Sequence, residues 1–343
     1  MAESGLRRGP VHPAVVGLVA LAALVASVGW SITFGAADLT TSEVWRSIGA
    51  HLGLGDSGLT RIRDGIVWEI RLPRVLTAAA VGAGLAVSGA VMQALTRNPL
   101  ADPYLLGLSS GASLGAVLVL LTGLSVVLPL AAFVGAMAAL VATLALARSL
   151  GAITPSRTVL AGLAVSSFAG AITSLVIFSE TRGDSYRQIL NWLLGSLAST
   201  DWSTVAISWV TLGVVGLPVL LSGRVLDAFA FGDTAAATLG VPVSSARWLL
   251  LGATALLTGG MVAVSGSIGF VGLVLPNAVR LVVGARHRVL LPLSAITGAV
   301  FMIWVDTGAR VFFEPRELPV GIITVLIGAP LFVVVLLRNR GRA

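Results

Sequence analysis

Arg71, Arg74 and Arg310 are the residues whose type and spacing most plainly invite chemistry. The run RLPR sets two guanidinium groups around a rigid Leu-Pro at the start of a long apolar segment. Such groups recognise carboxylates through charge-assisted, often bidentate hydrogen bonds, so the three together could receive the acidic side chains of a docking partner. The plainer reading is anchoring, because arginines at the ends of apolar segments reach out to lipid head groups. Arg310 also follows Asp306 by four residues, the spacing of an ion pair along a helix. Taken alone, those two residues favour that pairing.

Much chemistry is excluded. The chain has no cysteine and no lysine, and all 22 basic residues are arginine. A phosphate-cradling Walker loop needs its lysine, Schiff-base catalysis needs a lysine amine, and no thiolate is available. His12, His51 and His287 lack ligand spacing, so no metal site and no resident cofactor are expected. The net charge of +7 sits at the ends of apolar segments rather than in a patch with interleaved aromatics, which argues against nucleic acid.

The elements that must position these residues are apolar helices. With 56% hydrophobic and 11% charged residues, against roughly a quarter charged in ordinary soluble domains, the chain reads as an all-α integral membrane protein forming one polytopic domain, 1–343. Ten apolar segments lie near 14–34, 74–96, 105–121, 126–147, 159–178, 205–221, 248–264, 270–284, 290–311 and 320–337. The piece 186–199 is too short to span and reads as a re-entrant or interfacial helix. Ten spans place both termini on one side. Putting that side in the cytoplasm gives the inner loops 13 arginines and a charge of +9, and the outer loops −2, as the positive-inside rule asks. Residues 36–69 are then an extracytoplasmic loop with a short surface helix around Glu43, and 223–246 is the longest cytoplasmic loop.

Within 71–111, a segment rich in Gly82, Gly84, Ser88 and Gly89 is followed by the polar turn TRNPLADP and a second apolar segment opening GLSSGA. Small residues allow close helix packing in lipid, and a polar break at membrane depth is tolerated only inside protein or beside a watery cavity. A packed helix pair beside a transport path is expected. AVSG recurs at 86–89 and 263–266, each copy followed by an Asn-Pro or Pro-Asn break. The copies cross in opposite directions, the mark of inverted-repeat halves. On the inner rim, Asn98, Pro99 and Leu100, with ITPSR at 153–157, either end helices or form a constriction. The inner loop carries Leu226, Phe229 and Phe231, whose exposure would suit a covering cytoplasmic partner.

Together, RLPR, SGAVMQALTRNPLADP, GLSSGA, LNWLLGSL, FGDTAAATLGV, GFVGLVLPNAVRLVVG and ELPVGIITVLIGAP resemble the FecCD family of ABC-transporter permeases, from about Trp68 to Arg338. The resemblance implies ten helices per subunit, a type II importer fold and a second permease subunit, alike or different, completing a central path. It also implies two separate ATPase subunits that bind ATP and Mg, an extracytoplasmic substrate-binding protein, and residence in a bacterial plasma (inner) membrane. On matching positions, Arg71, Arg74 and Arg310 resemble arginines that receive the binding protein. Gly232, Asp233, Leu239 and Gly240 resemble the segment that couples to the ATPase. Asn98 and Leu100, with Ser156 on the second loop, resemble cytoplasmic gate residues. Asn277 stands where the pattern usually has histidine. The implied cargo is a ferric siderophore first, then haem or cobalamin, moved by alternating access without covalent chemistry in this chain.

The competing reading is an ion-coupled secondary transporter. It needs an intramembrane carboxylate, and Asp306 is the candidate. An intramembrane enzyme would need a nucleophile–base or metal constellation, and the sequence offers none.

Overall fold

The computed structural model describes residues 13–35, 37–122, 127–151, 154–179, 183–313 and 316–340, and every regular element among them is helical. Arg7, Arg8 and Arg342, which enter the orientation argument, and Ile153 of the second rim loop lie outside the described residues.

Among the described residues, seven helices are long and apolar enough to cross a membrane, and three shorter apolar helices accompany them. These are the ten expected segments. In chain order, α1 is Pro13–Ser31 and α2 is the surface helix Thr41–His51. Helix α3 is Arg61–Thr96, followed by α4 Leu108–Leu120, α5 Leu128–Ser149 and α6 Pro155–Ser179. Helix α7 is Gly183–Leu193 and α8 is Trp202–Leu221. The inner segment holds α9 Gly223–Ala230 and α10 Asp233–Thr238. The chain ends with α11 Val243–Ser265, α12 Val271–Val283, α13 His287–Val311 and α14 Val320–Arg340.

Helix α3 is the axis. It begins a dozen residues before the expected start, so its first turns belong to the outer segment. Pro73 has no N–H to donate, and the widened π turn over Ile66–Arg71 directly before it absorbs the irregularity. Its most apolar window is 94% buried inside the protein, against 17% for α1; α3 is a core helix and α1 a peripheral one. The small residues explain how. A Cβ on Gly89 would collide with the carbonyl of Gly272, and one on Gly82 with the carbonyl of Gly298, so the backbones of α12 and α13 lie directly on α3. In lipid, where hydrophobic exclusion gives helices no reason to associate, such contact is a main source of packing energy.

Two chain breaks meet inside the bundle. After α3, residues 97–107 run through a single 3-10 turn into α4; after α11, residues 266–270 run non-helically into α12. Helices α4 and α12 have 13 residues each, about 20 Å, short of the roughly 30 Å hydrocarbon core. The breaks satisfy each other: Tyr104 Oη donates to the Ile268 carbonyl at 2.9 Å, and the Ser109 and Ser267 hydroxyls lie 2.7 Å apart. The first break begins eight residues after AVSG at 86–89, and the second begins at the Gly266 that ends the other copy.

The expected helix over 186–199 is shorter and earlier, stopping at Leu193. Gly195, at φ 74°, turns the chain inward. There Ser196 N donates to Ser265 O, and Gly321 N to Gly195 O. The outer segment is built on a capping box: Thr40 N donates to Glu43 Oε2 at 2.8 Å, and Glu43 N to Thr40 Oγ1. That backbone bond, with the Arg63 guanidinium behind it, holds the Glu43 carboxyl down to about 2.

Candidate functional site

The three outer arginines converge, but not on the surface. Arg71, Arg74 and Arg310 are all buried, as is Asp306. Arg71 leaves the π turn toward the end of α1 and donates to the carbonyls of Ile32, Thr33 and Ala37 at 2.8, 3.1 and 2.6 Å. Arg310 reaches the same end at Ser31 O, 3.4 Å. The last carbonyls of a helix have no intrahelical donors and carry partial negative charge, so guanidinium groups are natural caps there. Arg74 grips Asp306: Nε donates to both carboxylate oxygens at 2.9 and 3.0 Å, and Nη2 lies 2.9 Å from Oδ1. The Asp306–Arg310 pairing exists at 3.3 Å, but Arg74 is the closer partner. The second edge of Arg74 binds Glu317 at 2.7 Å. Glu317 is 47% exposed and Arg74 only 5%. The solvent-facing group of this cluster is therefore an acid.

The inner rim holds a second cluster. Asn98 and Leu100 are exposed on the turn after α3, where the Leu100 N–H donates to Asn98 Oδ1 at 2.9 Å. Asn277 Nδ2 donates to the Pro99 carbonyl and to Leu273 O, each at 2.8 Å. Its Oδ1 accepts from Arg280 Nη1 at 2.7 Å, and Arg280 Nη2 reaches Gln93 Oε1 at 3.2 Å. Pro276 leaves the Gly272 carbonyl, four residues back, without its helical donor; Gln93 Nε2 supplies one at 3.3 Å. Asp102 closes the same turn by accepting the Tyr104 N–H at 2.8 Å. Burial pushes its carboxyl up to about 6, against the pull of that bond. Ser156 is exposed at the start of α6, beside Thr154 and Thr158, which line a crevice with Thr96 and Arg247.

The inner segment departs from expectation. Leu226 and Phe229 are buried at 0% and 1%, packed under α3 and α13, because α9 is amphipathic and turns both inward. Phe231 and Leu239 are exposed, at 79% and 68%. Gly232, at φ 95°, and Gly240, at φ 82°, bracket α10 and occupy backbone conformations that side chains avoid. Asp233 is gripped by Arg247 at 2.6 and 3.0 Å, and the Arg247 guanidinium also lies over the Phe229 ring, 5.3 Å from its centroid. Those hydrogen bonds hold the Asp233 carboxyl below its ordinary value against some desolvation; the charges of Arg247 and Arg97 add to the effect.

Gln93, Arg247, Asn277, Arg280 and Glu317 were not singled out as site residues from sequence. The legible signal was polarity inside apolar helices, in Gln93 and Asn277. Among the described residues no group of three His, Asp or Glu could hold a metal ion.

A multi-pass all-helical protein whose chain interruptions pair inside the bundle has the form of a membrane permease. The FecCD transport family matches residues 22–338, and the chain belongs to it. It is 41% identical over 338 residues to the cobalamin import system permease protein BtuC of Halobacterium salinarum, covering 96% of this chain and 90% of that one. It is 45% identical over 280 residues to the Fe(3+) dicitrate transport system permease protein FecD of Escherichia coli, covering 80% and 86%. A solved structure, described as a metal-chelate type ABC transporter in an inward-facing conformation, superposes with a TM-score of 0.82 at 31% identity, covering 95% of this chain and all of the other. The chain is thus the permease subunit of an ABC importer, with the type II importer fold, and is not itself the ATPase.

Proposed function

We propose that this permease carries a metal chelate into the cytoplasm, a ferric siderophore first, with cobalamin and haem as the alternatives. The observation that carries this reading is the match, over 96% and 80% of the chain, to permeases whose names specify cobalamin and ferric dicitrate. Separate ATPase subunits supply ATP hydrolysis, a second permease subunit completes the path, and an extracytoplasmic binding protein delivers cargo. The membrane is a bacterial plasma membrane, with both termini in the cytoplasm.

Phe231 and Leu239, exposed around Gly232, Asp233 and Gly240, offer the ATPase an apolar foothold on a segment too sparsely charged to be a plain solvated loop. Asn98 and Leu100, with Ser156 across the rim, form the inner gate. Arg71, Arg74 and Arg310 remain the docking arginines, with one refinement. An incoming carboxylate competes with Glu317 for the outer edge of Arg74, since the other edge is committed to Asp306. An ion-coupled mechanism gains little support, because its one candidate carboxylate is already held between two guanidinium groups.

The test is co-purification with the cognate ATPase, then ATPase assay of the reconstituted assembly with and without its binding protein. Stimulation that is lost in Arg71→Glu and Arg74→Glu variants, with the ATPase still bound, supports the reading. Uptake by the chain alone on an ion gradient overturns it in favour of a secondary transporter.

A further inference from the structure

The turn after α3 is held from two sides by groups that no sequence motif pairs. Helix α3 ends with Arg97 N donating to Ala94 O and Asn98 N to Gln93 O, which puts Arg97 in the left-handed region at φ 51°. Glycine or asparagine is the ordinary occupant of such a position. A long cationic residue held there at a conformational cost points to a use for its side chain. That side chain lies against the inner segment: a Cβ on Gly232 would meet Arg97 Nη1 at 3.2 Å. Asp233, next in the chain, is close enough to feel the Arg97 charge. On the other side, the Asn277 amide is aimed at the Pro99 carbonyl by its own bond from Arg280, and Arg280 is braced by Gln93. Gln93 in turn is pinned to the carbonyls of Gly272 and Leu273. The bracing side chains thus belong to the packed interior, while Pro99 and its neighbours are exposed.

We infer that Asn277 and Arg97 are positioning residues that clamp the 97–102 turn between α12 and the inner segment, Asn277 as the latch and Arg97 as the handle. Motion of the inner segment then reaches Leu100 through Arg97, and the Asn277 N–H on Pro99 sets the resistance it must overcome. This rests on the reading of Asn98 and Leu100 as the inner gate. The latch is separable from the fold, because an exposed carbonyl released by Asn277 is taken up by water. In Asn277→Asp the donor becomes an acceptor facing that carbonyl, yet the new carboxylate still pairs with Arg280. Arg97→Gly removes the handle and eases the left-handed backbone.

The chain has no cysteine, so Leu100→Cys gives a single reporter on it. The transporter assembled with its ATPase is treated from the inner side with a membrane-impermeant maleimide, with and without vanadate-trapped nucleotide, and labelling is read on this chain. Nucleotide-dependent labelling is expected in the Leu100→Cys parent. Adding Asn277→Asp is expected to raise resting labelling roughly fivefold or more, the population shift given by losing about one hydrogen bond. Asn277→His, which keeps a donor, restores parental behaviour, whereas a merely structural role would leave both variants alike. Arg97→Gly keeps resting labelling and loses the nucleotide response. If the parent responds to nucleotide while Asn277→Asp and Arg97→Gly both match it, the clamp is overturned and the gate reading stands. If the parent does not respond, the gate reading fails and the clamp with it.

Discussion

Arg74 and Asp306, 232 residues apart in sequence, meet as a buried bidentate pair, with Nε at 2.9 and 3.0 Å from the two carboxylate oxygens. The pair ties the central helix α3, just after its π turn, to the C-terminal end of α13. Arg310 stands on the far side of the same carboxylate, so one anion serves two cations.

Removing that anion takes from Arg310 its paired carboxylate and leaves Arg74 with the half-exposed Glu317 alone. Asp306→Ala is expected to cost about 3–5 kcal/mol, as breaking a buried ion pair from one side does. Asp306→Asn, which still accepts hydrogen bonds, is expected to cost less. Thermal unfolding of the detergent-solubilised chain checks the order.

Glu317 behaves differently because it is half exposed. Glu317→Gln is expected to change stability by no more than about 1 kcal/mol, the range of exposed pairs. It frees the outer edge of Arg74, so titration with the binding protein is expected to show tighter association. Unchanged or weaker association would argue against Arg74 as a docking group.

Phe231 and Leu239 separate interface from fold. Aspartate at either position is expected to leave the melting temperature of the isolated chain unchanged. Loss of retained ATPase on affinity purification is the expected result, since an apolar anchor at an interface contributes on the order of 2 kcal/mol or more. Aspartate at Leu226 or Phe229, both buried, is expected to destabilise the chain itself.

Asp102 gives a pH dependence of definite sign. Its carboxyl is pushed up to about 6 from an ordinary 3.8, so the fold prefers the protonated form. Its stabilising contribution is complete below about pH 3.8 and is lost as pH rises through about 6, on the order of 1–3 kcal/mol. Asp102→Asn, whose side-chain oxygen can still cap Tyr104, is expected to flatten the melting temperature across that window. A slope unchanged by the substitution would assign it to another group.

Much of this protein was legible in the sequence because lipid imposes one-dimensional rules. Apolar runs mark the membrane helices, and ten are countable, seven of them long enough to cross and three shorter among the described residues. The glycines at 82 and 89 announced close packing, and the helix that carries them is the most buried span. The Thr40–Glu43 capping box is likewise local, with donor and acceptor three residues apart. Exposure was less legible. Leu226 and Phe229 read as surface because they lie in a long, sparsely charged loop, but an eight-residue amphipathic helix is enough to turn both inward.

The sequence by itself determined the class of protein, the ten apolar segments and the chemistry the chain cannot do. Composition and hydropathy are sums over residues and need no partner in space. The tertiary structure alone decided that Arg74 answers Asp306, that Arg71 holds the Ile32 carbonyl just past the end of α1, and that Asn277 bonds Pro99 across 178 residues. A buried polar group must find its counterpart wherever packing brings one, and the packing of ten similar helices is not written in any single one of them.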